Sequence, residues 1–437
     1  MGKASNGRTE GVGVACAAVQ QHASVDWGGR KKLPAPAISR NNFSVWTFLK
    51  QCIGKELSKI TMPVVFNEPL SFLQRLAEGM EYISLLDKAC DCDDAVDRIQ
   101  YVTAYYVSMV ASSEGRFAKP FNPLLGETYE LERLDNGFRV LLEQVSHHPP
   151  ISALQAESTT GRYKLQGSVH PKLKFWGKSI EINPDGQLTI ELTERNEVYQ
   201  LNHVNCVVHN VIFGDMWIEQ VGQLQVTNLR TRHKAALNFR PVGWFGKDLH
   251  KLDGYIYNER KEKRVALFGK WTSALYSADV KTYESYNSKK KDSHRHSKYS
   301  DESDSQIADI PQCPNAKLLW RRDPLPPNAE QAYLFSEFAL TLNEFTDEMR
   351  AKLPQTDSRL RDDVRRLEHG DIDGAADNKL ILEEKQRATR KLMHSNKEVW
   401  CNRWFKEGPN PHTGVPDWLP TERCYWDRDW SGCPDIF

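Results

Sequence analysis

The segment Glu143-Gln144-Val145-Ser146-His147-His148-Pro149-Pro150 puts two adjacent imidazoles at the end of an apolar run that two prolines stop. Imidazoles so placed can ligate a metal, act as a general base, donate hydrogen bonds to an anion, or cap a turn. Successive strand residues point to opposite faces, so both rings reach one metal only where the chain twists or turns, and ligation is disfavoured. A second cluster lies just upstream, where Lys119 and Asn122 sit in the proline-rich stretch KPFNPLLGE that ends at Glu127. A third lies far along the chain: Lys379, Glu383 and Arg387 are spaced i, i+4, i+8 and share one helix face. By itself such a face reads as a solvated, ion-paired surface.

These residues need a scaffold, and the chain supplies several kinds of element. Residues 1 to 40 are a Gly-, Ala- and Ser-rich tail with Pro34 and Pro36, expected to be disordered. Phe43, Trp46, Phe48 and Leu49 then crowd large apolar groups into a short stretch (41 to 54), either a covering amphipathic helix or one packed on the core. Apolar residues recur every three or four positions from Glu68 to Ala89 and from Ala95 to Val110, which predicts two helices within 68 to 113. From about 125 to 280 the text changes to short alternating or β-branched runs, among them Phe138 to Val145, Tyr163 to Val169 and Gln187 to Leu192, separated by turn clusters such as Asp135-Asn136-Gly137. So many evenly spaced strands predict one antiparallel sheet large enough to curl into a barrel. The polar stretch at 285 to 309 reads as a flexible excursion whose serines could accept phosphate. Helical text returns at Ala329 to Met349 and Ala375 to Trp404, within a C-terminal region of 329 to 437 that ends Pro- and Trp-rich.

Composition narrows the function classes. Lys+Arg and Asp+Glu are equal at 58 each in 437 residues, so no global field draws the chain to nucleic acid or an anionic membrane, and any anion site is local. No apolar run is long enough to span a bilayer, and the N-terminus carries neither a signal peptide nor a complete myristoylation pattern. The 9 cysteines are scattered without C-x-x-C pairs, which fits reduced thiols in the cytosol and no structural metal.

EQVSHHPP resembles the fingerprint of the oxysterol-binding-protein-related lipid-transfer family, and KPFNPLLGE resembles that family's K-P-x-N-P-x-x-G-E segment. Leu57 to Leu73, Pro171 to Gly177 and Arg403-Trp404-Phe405 are similar too, so the likeness covers about residues 40 to 437. Its wording is nearest the sterol and phosphoinositide carriers that also occur as short chains. The resemblance implies an α+β fold: a near-complete antiparallel β-barrel around a lipid tunnel, with N-terminal helices, a lid near 41 to 54 and a C-terminal helical subdomain. It implies a phosphoinositide headgroup site of Lys119, Asn122, His147, His148, Lys379, Glu383 and Arg387, in which Glu383 holds the two flanking cations. Phe43, Trp46, Phe48 and Leu49 become lid candidates. Sterol and phosphoinositide, PI4P or PI(4,5)P2, would compete for the tunnel and so be exchanged between membranes, by a cytosolic protein peripherally bound at organelle contact sites. No catalysis, cofactor, metal or nucleic acid is implied. The acidic two-phenylalanine tether that many members carry has no counterpart in residues 1 to 42.

Two rival readings remain. A phosphoinositide hydrolase would need machinery around His147 or His148, but the sequence has no G-x-S-x-G elbow and no C-x5-R loop. A sensor or scaffold, whose lipid occupancy regulates protein partners, would use the same pocket, and only a failure of transfer to depend on the second lipid would favour it.

Overall fold

The computed structural model describes residues 25–38, 62–243, 246, 248–296 and 313–437. The lid candidates Phe43, Trp46, Phe48 and Leu49 lie outside the described residues.

Strand β1 (Asn67–Ser71) leads into helix α1 (Phe72–Ala77), which starts where Ser71 and Gln74 form a reciprocal capping box. The helix predicted from Glu68 to Ala89 is broken. Its first residues pair as β1 with β2 (Lys119–Phe121), and a 3-10 turn containing Gly79 separates α1 from α2 (Ser84–Asp91). Periodicity alone could not show that pairing, because β2 comes from 50 residues downstream. Helix α3 (Ala95–Ala111) matches its expectation and is capped by the Asp94 carboxylate, which accepts from the Val96 and Asp97 N–H groups. Ile99, Val102, Thr103, Ala104, Tyr105, Tyr106 and Val107 are all buried, so this helix is enclosed almost all round rather than lying on a surface.

The enclosure is a sheet of 14 strands. In chain order these are β3 (Thr128–Arg133), β4 (Phe138–His147), β5 (Pro150–Ser158), β6 (Tyr163–Phe175), β7 (Ile180–Asp185), β8 (Gln187–Leu192) and β9 (Glu197–Asn202). There follow β10 (Asn205–His209), β11 (Trp217–Asn228), β12 (Lys234–Phe239), β13 (Lys251–Tyr257), β14 (Lys263–Lys270), β15 (Ala274–Asp279) and β16 (Lys317–Arg321). Neighbours are antiparallel throughout, and β8 and β9 bridge β6 to β11 beside the parallel route through β7 and β10. The edge strands β3 and β16 are not paired with each other among the described residues, so the ring is partly closed and α3 packs against its inner face near β16. Alternation explains the core: Leu224, Val226, Leu237, Phe239, Leu252 and Ile256 point inward with polar neighbours between them.

The flexible excursion expected from Ser285 is corrected at its start. Helix α4 (Val280–His296) continues through that text, anchored where Tyr283 packs on Phe268 and Tyr255; residues 297 to 312 lie outside the described part. The single helix expected from Ala329 to Met349 is also corrected. It is interrupted by left-handed residues Tyr333 and Leu334, leaving α5 (Glu337–Thr341) and α6 (Asp347–Lys352), because Phe335, Phe338, Leu340 and Leu342 must all enter the core. Helices α7 (Asp362–Glu368) and α8 (Ile372–Asn396) follow, and α8 docks through Ala375 onto Phe121, Val364 and Leu367. The chain closes with a hairpin of β17 (Phe405–Pro409) and β18 (Pro416–Pro420).

Candidate lipid headgroup site

The fingerprint segment divides its work. Glu143, buried in β4, accepts from the N–H groups of Arg403, Trp404 and Phe405, each at 3.1 Å, and so anchors the C-terminal segment to the outside of the sheet. Burial nonetheless pushes its carboxyl up to about 7 against those stabilising bonds. Val145 packs beneath Trp404, Phe405 and Tyr425. The Gln144 amide ties the hairpin, accepting from Ser152 Oγ at 2.6 Å and donating to the Ser146 carbonyl at 2.8 Å. Ser146 Oγ closes the turn on the Pro149 carbonyl at 2.7 Å. His147, partly buried, and His148, exposed, follow, and the chain turns between them, so their rings lie 4.7 Å apart, edge to face. The alternation expected of a strand would have separated them, but β4 ends at His147.

The KPFNPLLGE loop is fixed by Glu127, which is fully buried. Its carboxylate accepts from Ser71 Oγ and Ser358 Oγ at 2.6 Å each, from the Leu124 N–H at 2.9 Å and from Arg361 Nη1 at 2.9 Å. Arg361 also donates to the Asn122 carbonyl at 2.8 Å and pairs with Asp363. Gly126 adopts φ +80°, and a Cβ there would meet the Trp400 ring at 2.4 Å. Gly126→Ala is therefore expected to cost about 1–3 kcal/mol through backbone strain and displacement of Trp400, measured as a lowered urea midpoint.

Out of this fixed loop Lys119 reaches the Asn122 side-chain oxygen. On α8, Lys379 is buried and donates to the Met62 carbonyl, with Glu383 at 3.9 Å. Arg387 stays exposed and is held by Glu383 at 3.6 Å. The joint between the three segments is Gln386, a residue that the sequence reading passed over. Its carbonyl oxygen accepts from the Leu125 N–H at 2.7 Å and its amide donates to His147 Nε2 at 3.0 Å. Gln386 lies seven positions after Lys379, on the same face, and that spacing was the signal available. Arg390 follows four positions later, close enough to His147 to act on its charge.

The electrostatics are set by burial and by the crowding of cations around one carboxylate, Glu383. Burial, reinforced by Lys379 and also by Arg361, brings Lys119 down to about 7. Burial and the adjacent His148 bring His147 down to about 4, so it is neutral at physiological pH. Lys379 is likewise depressed, chiefly by burial. Lys119, Asn122, His147, Lys379 and Glu383 thus converge, His148 stands beside them, and Arg387 sits at the rim.

A family model described as oxysterol-binding protein matches residues 44–430. The chain belongs to the oxysterol-binding protein family. It is 51% identical over 418 residues to oxysterol-binding protein-related protein 1 of Rattus norvegicus, covering 93% of this chain and 44% of that protein. This family chain therefore spans less than half the length of that relative. Among solved structures, the Osh1 ORD domain in complex with ergosterol superposes with a TM-score of 0.80 at 31% identity, covering 93% of this chain and 94% of that one. The Osh3 ORD of Saccharomyces cerevisiae in complex with PI(4)P gives 0.76 at 31% identity, covering 93% and 99%. No helix among the described residues is long and apolar enough to cross a membrane.

Proposed function

We propose that this chain carries lipids between membranes, taking a sterol or a phosphoinositide in turn within the curved sheet. The observation that carries this reading is the meeting at one rim of three segments far apart in sequence: the loop at Lys119, the turn at His147 and the face of α8 at Lys379. A phosphorylated inositol presents several negative charges, and such a ligand needs convergent cations and N–H donors rather than one lysine. Lys119, Lys379, Arg387 and the imidazoles would hold the phosphates, Asn122 and Glu383 would meet hydroxyls, and Glu383 would also restrain its cationic neighbours. The apolar interior would take the lipid body, as the ergosterol and PI(4)P complexes of the two relatives support. Because both lipids would use one space, loading one expels the other, and a phosphoinositide gradient drives net sterol movement without hydrolysis.

The test is sterol transfer between two vesicle populations, with and without phosphoinositide in the acceptor alone. Acceleration by the phosphoinositide is the expected result, and a rate indifferent to it would remove the exchange mechanism.

The depressed Lys119 and His147 make binding pH-dependent. A bound anion favours their charged forms and raises both pKa values, so binding takes up protons. Affinity for the headgroup should accordingly increase as pH falls from about 8.5 to about 6.5, a window above the second phosphate ionisation near about 6. Calorimetry in buffers of different ionisation enthalpy measures the uptake directly; zero uptake at pH near 7 would contradict it.

A further inference from the structure

We infer that the tips of the β6–β7 and β10–β11 hairpins form one aromatic wedge that seats in the interfacial zone of a bilayer and so brings the site rim to the membrane; this deepens the lipid-carrier reading and rests on it. Register places the wedge. Ser152 pairs with Val169, so Pro150, beside the histidine turn, is level with Pro171, and β6 runs on from there to its tip at Trp176. That overhang is roughly 15 Å at the usual rise per residue. The β10–β11 loop accompanies it, since Val208 pairs with Ile180, the Val211 N–H donates to the Lys178 carbonyl at 3.1 Å and Lys178 Nζ lies 5.5 Å from the Phe213 ring centroid.

The tips carry side chains that a protein surface in water normally hides. Trp176 is 64% exposed, Phe213 68%, Leu173 45% and Phe175 39%. Lys172, Lys174 and Lys178 interleave with them, while the carboxylates of the same tips are Glu181, Asp185 and Asp215. Asp185 pairs with Lys172 at 2.6 Å, and Glu181 accepts from Trp176 Nε1 and Asn205 Nδ2, each at 2.7 Å. The tip is thus nearly charge-balanced, with its indole N–H already satisfied. Aromatic bodies with lysine stems that can snorkel suit the headgroup-to-acyl boundary. A folded protein partner fits less well, because a stable interface needs about 800 Å² per side, more than a few side chains on projecting tips can offer. A bilayer demands no matching shape.

The test compares the chain with a Trp176→Ser, Phe213→Ser variant by co-sedimentation with phosphatidylcholine vesicles, with and without phosphatidylserine. A loss of vesicle partition of about tenfold or more is expected from the two aromatics, restored largely by Trp176→Leu with Phe213→Leu. Unchanged partition would overturn the wedge. In parallel, affinity for a water-soluble short-chain phosphoinositide should stay within about twofold, since the tips stand clear of the headgroup site and the variant then retains its fold. If the unaltered chain fails to bind that soluble lipid, the carrier reading falls on its own account, whatever the vesicles show.

Discussion

Replacing His147 and His148 together by alanine should lower phosphoinositide extraction by about a hundredfold or more while sterol loading stays within about twofold of the unaltered chain. Each imidazole can give a phosphate a charge-assisted hydrogen bond, and bonds to charged groups contribute about 1.5–3 kcal/mol apiece, so two compound to that range. A sterol offers no such charge, and its binding is insensitive to the pair. The fold should tolerate the change: His148 is exposed, and His147, partly buried, gives up its contacts with the Gln386 amide and the Pro123 carbonyl. Extraction of labelled lipid from vesicles, assayed for both ligands on one preparation, decides the matter. Equal loss of sterol loading in a folded variant would show that the turn serves the tunnel or the fold instead of the headgroup.

Glu127→Ala should be the most damaging substitution for stability among the residues around the site, at about 3–5 kcal/mol. Its carboxylate is fully buried, and removing it leaves the Arg361 guanidinium with Asp363 as its one remaining carboxylate partner, while Ser71 Oγ and the Leu124 N–H lose their acceptor and Ser358 Oγ keeps only the Thr128 carbonyl at 3.2 Å. Breaking a buried pair costs more than the pair contributes, because the surviving charge stays out of water. Glu127→Gln keeps the shape and part of the bonding, so its urea midpoint should fall between those of the unaltered chain and the alanine variant. The two variants together separate loss of charge from loss of volume. An alanine variant within about 1 kcal/mol of the unaltered chain would mean that the loop carrying Lys119 is held by other contacts.

Much of the architecture is legible in the residue order. Expected runs such as Phe138 to Val145, Tyr163 to Val169 and Gln187 to Leu192 all fall within strands, since a half-buried strand writes its period of two directly into the residue order. Helix α3 declared itself in the same way through its period of three to four. The resemblance in EQVSHHPP and KPFNPLLGE named the family that the comparison found. It also nominated Lys119, Asn122, His147, His148, Lys379, Glu383 and Arg387, whose headgroup role remains the proposal made above.

What the residue order could not express were contacts made between distant segments. Gln386 joins His147 across 239 positions, Arg403 reaches Glu143 across 260, and Ser358 reaches Glu127 across 231. None of these leaves a local period, because each depends on where two independently formed elements come to rest. The same reason explains the corrected elements: β1 was written with a helical spacing but was taken by β2, and the text after Ala329 was broken so that Phe335 and Phe338 could be buried. Local sequence by itself determined the strands, the enclosed helix α3 and the identities of the charged and imidazole groups, because those follow from side-chain period and chemistry. Tertiary structure alone decided that these groups share a rim, that burial holds Lys119 and His147 below their ordinary pKa values, and that a buried glutamate supports the loop between them, because desolvation and non-local pairing exist only once the chain has closed on itself.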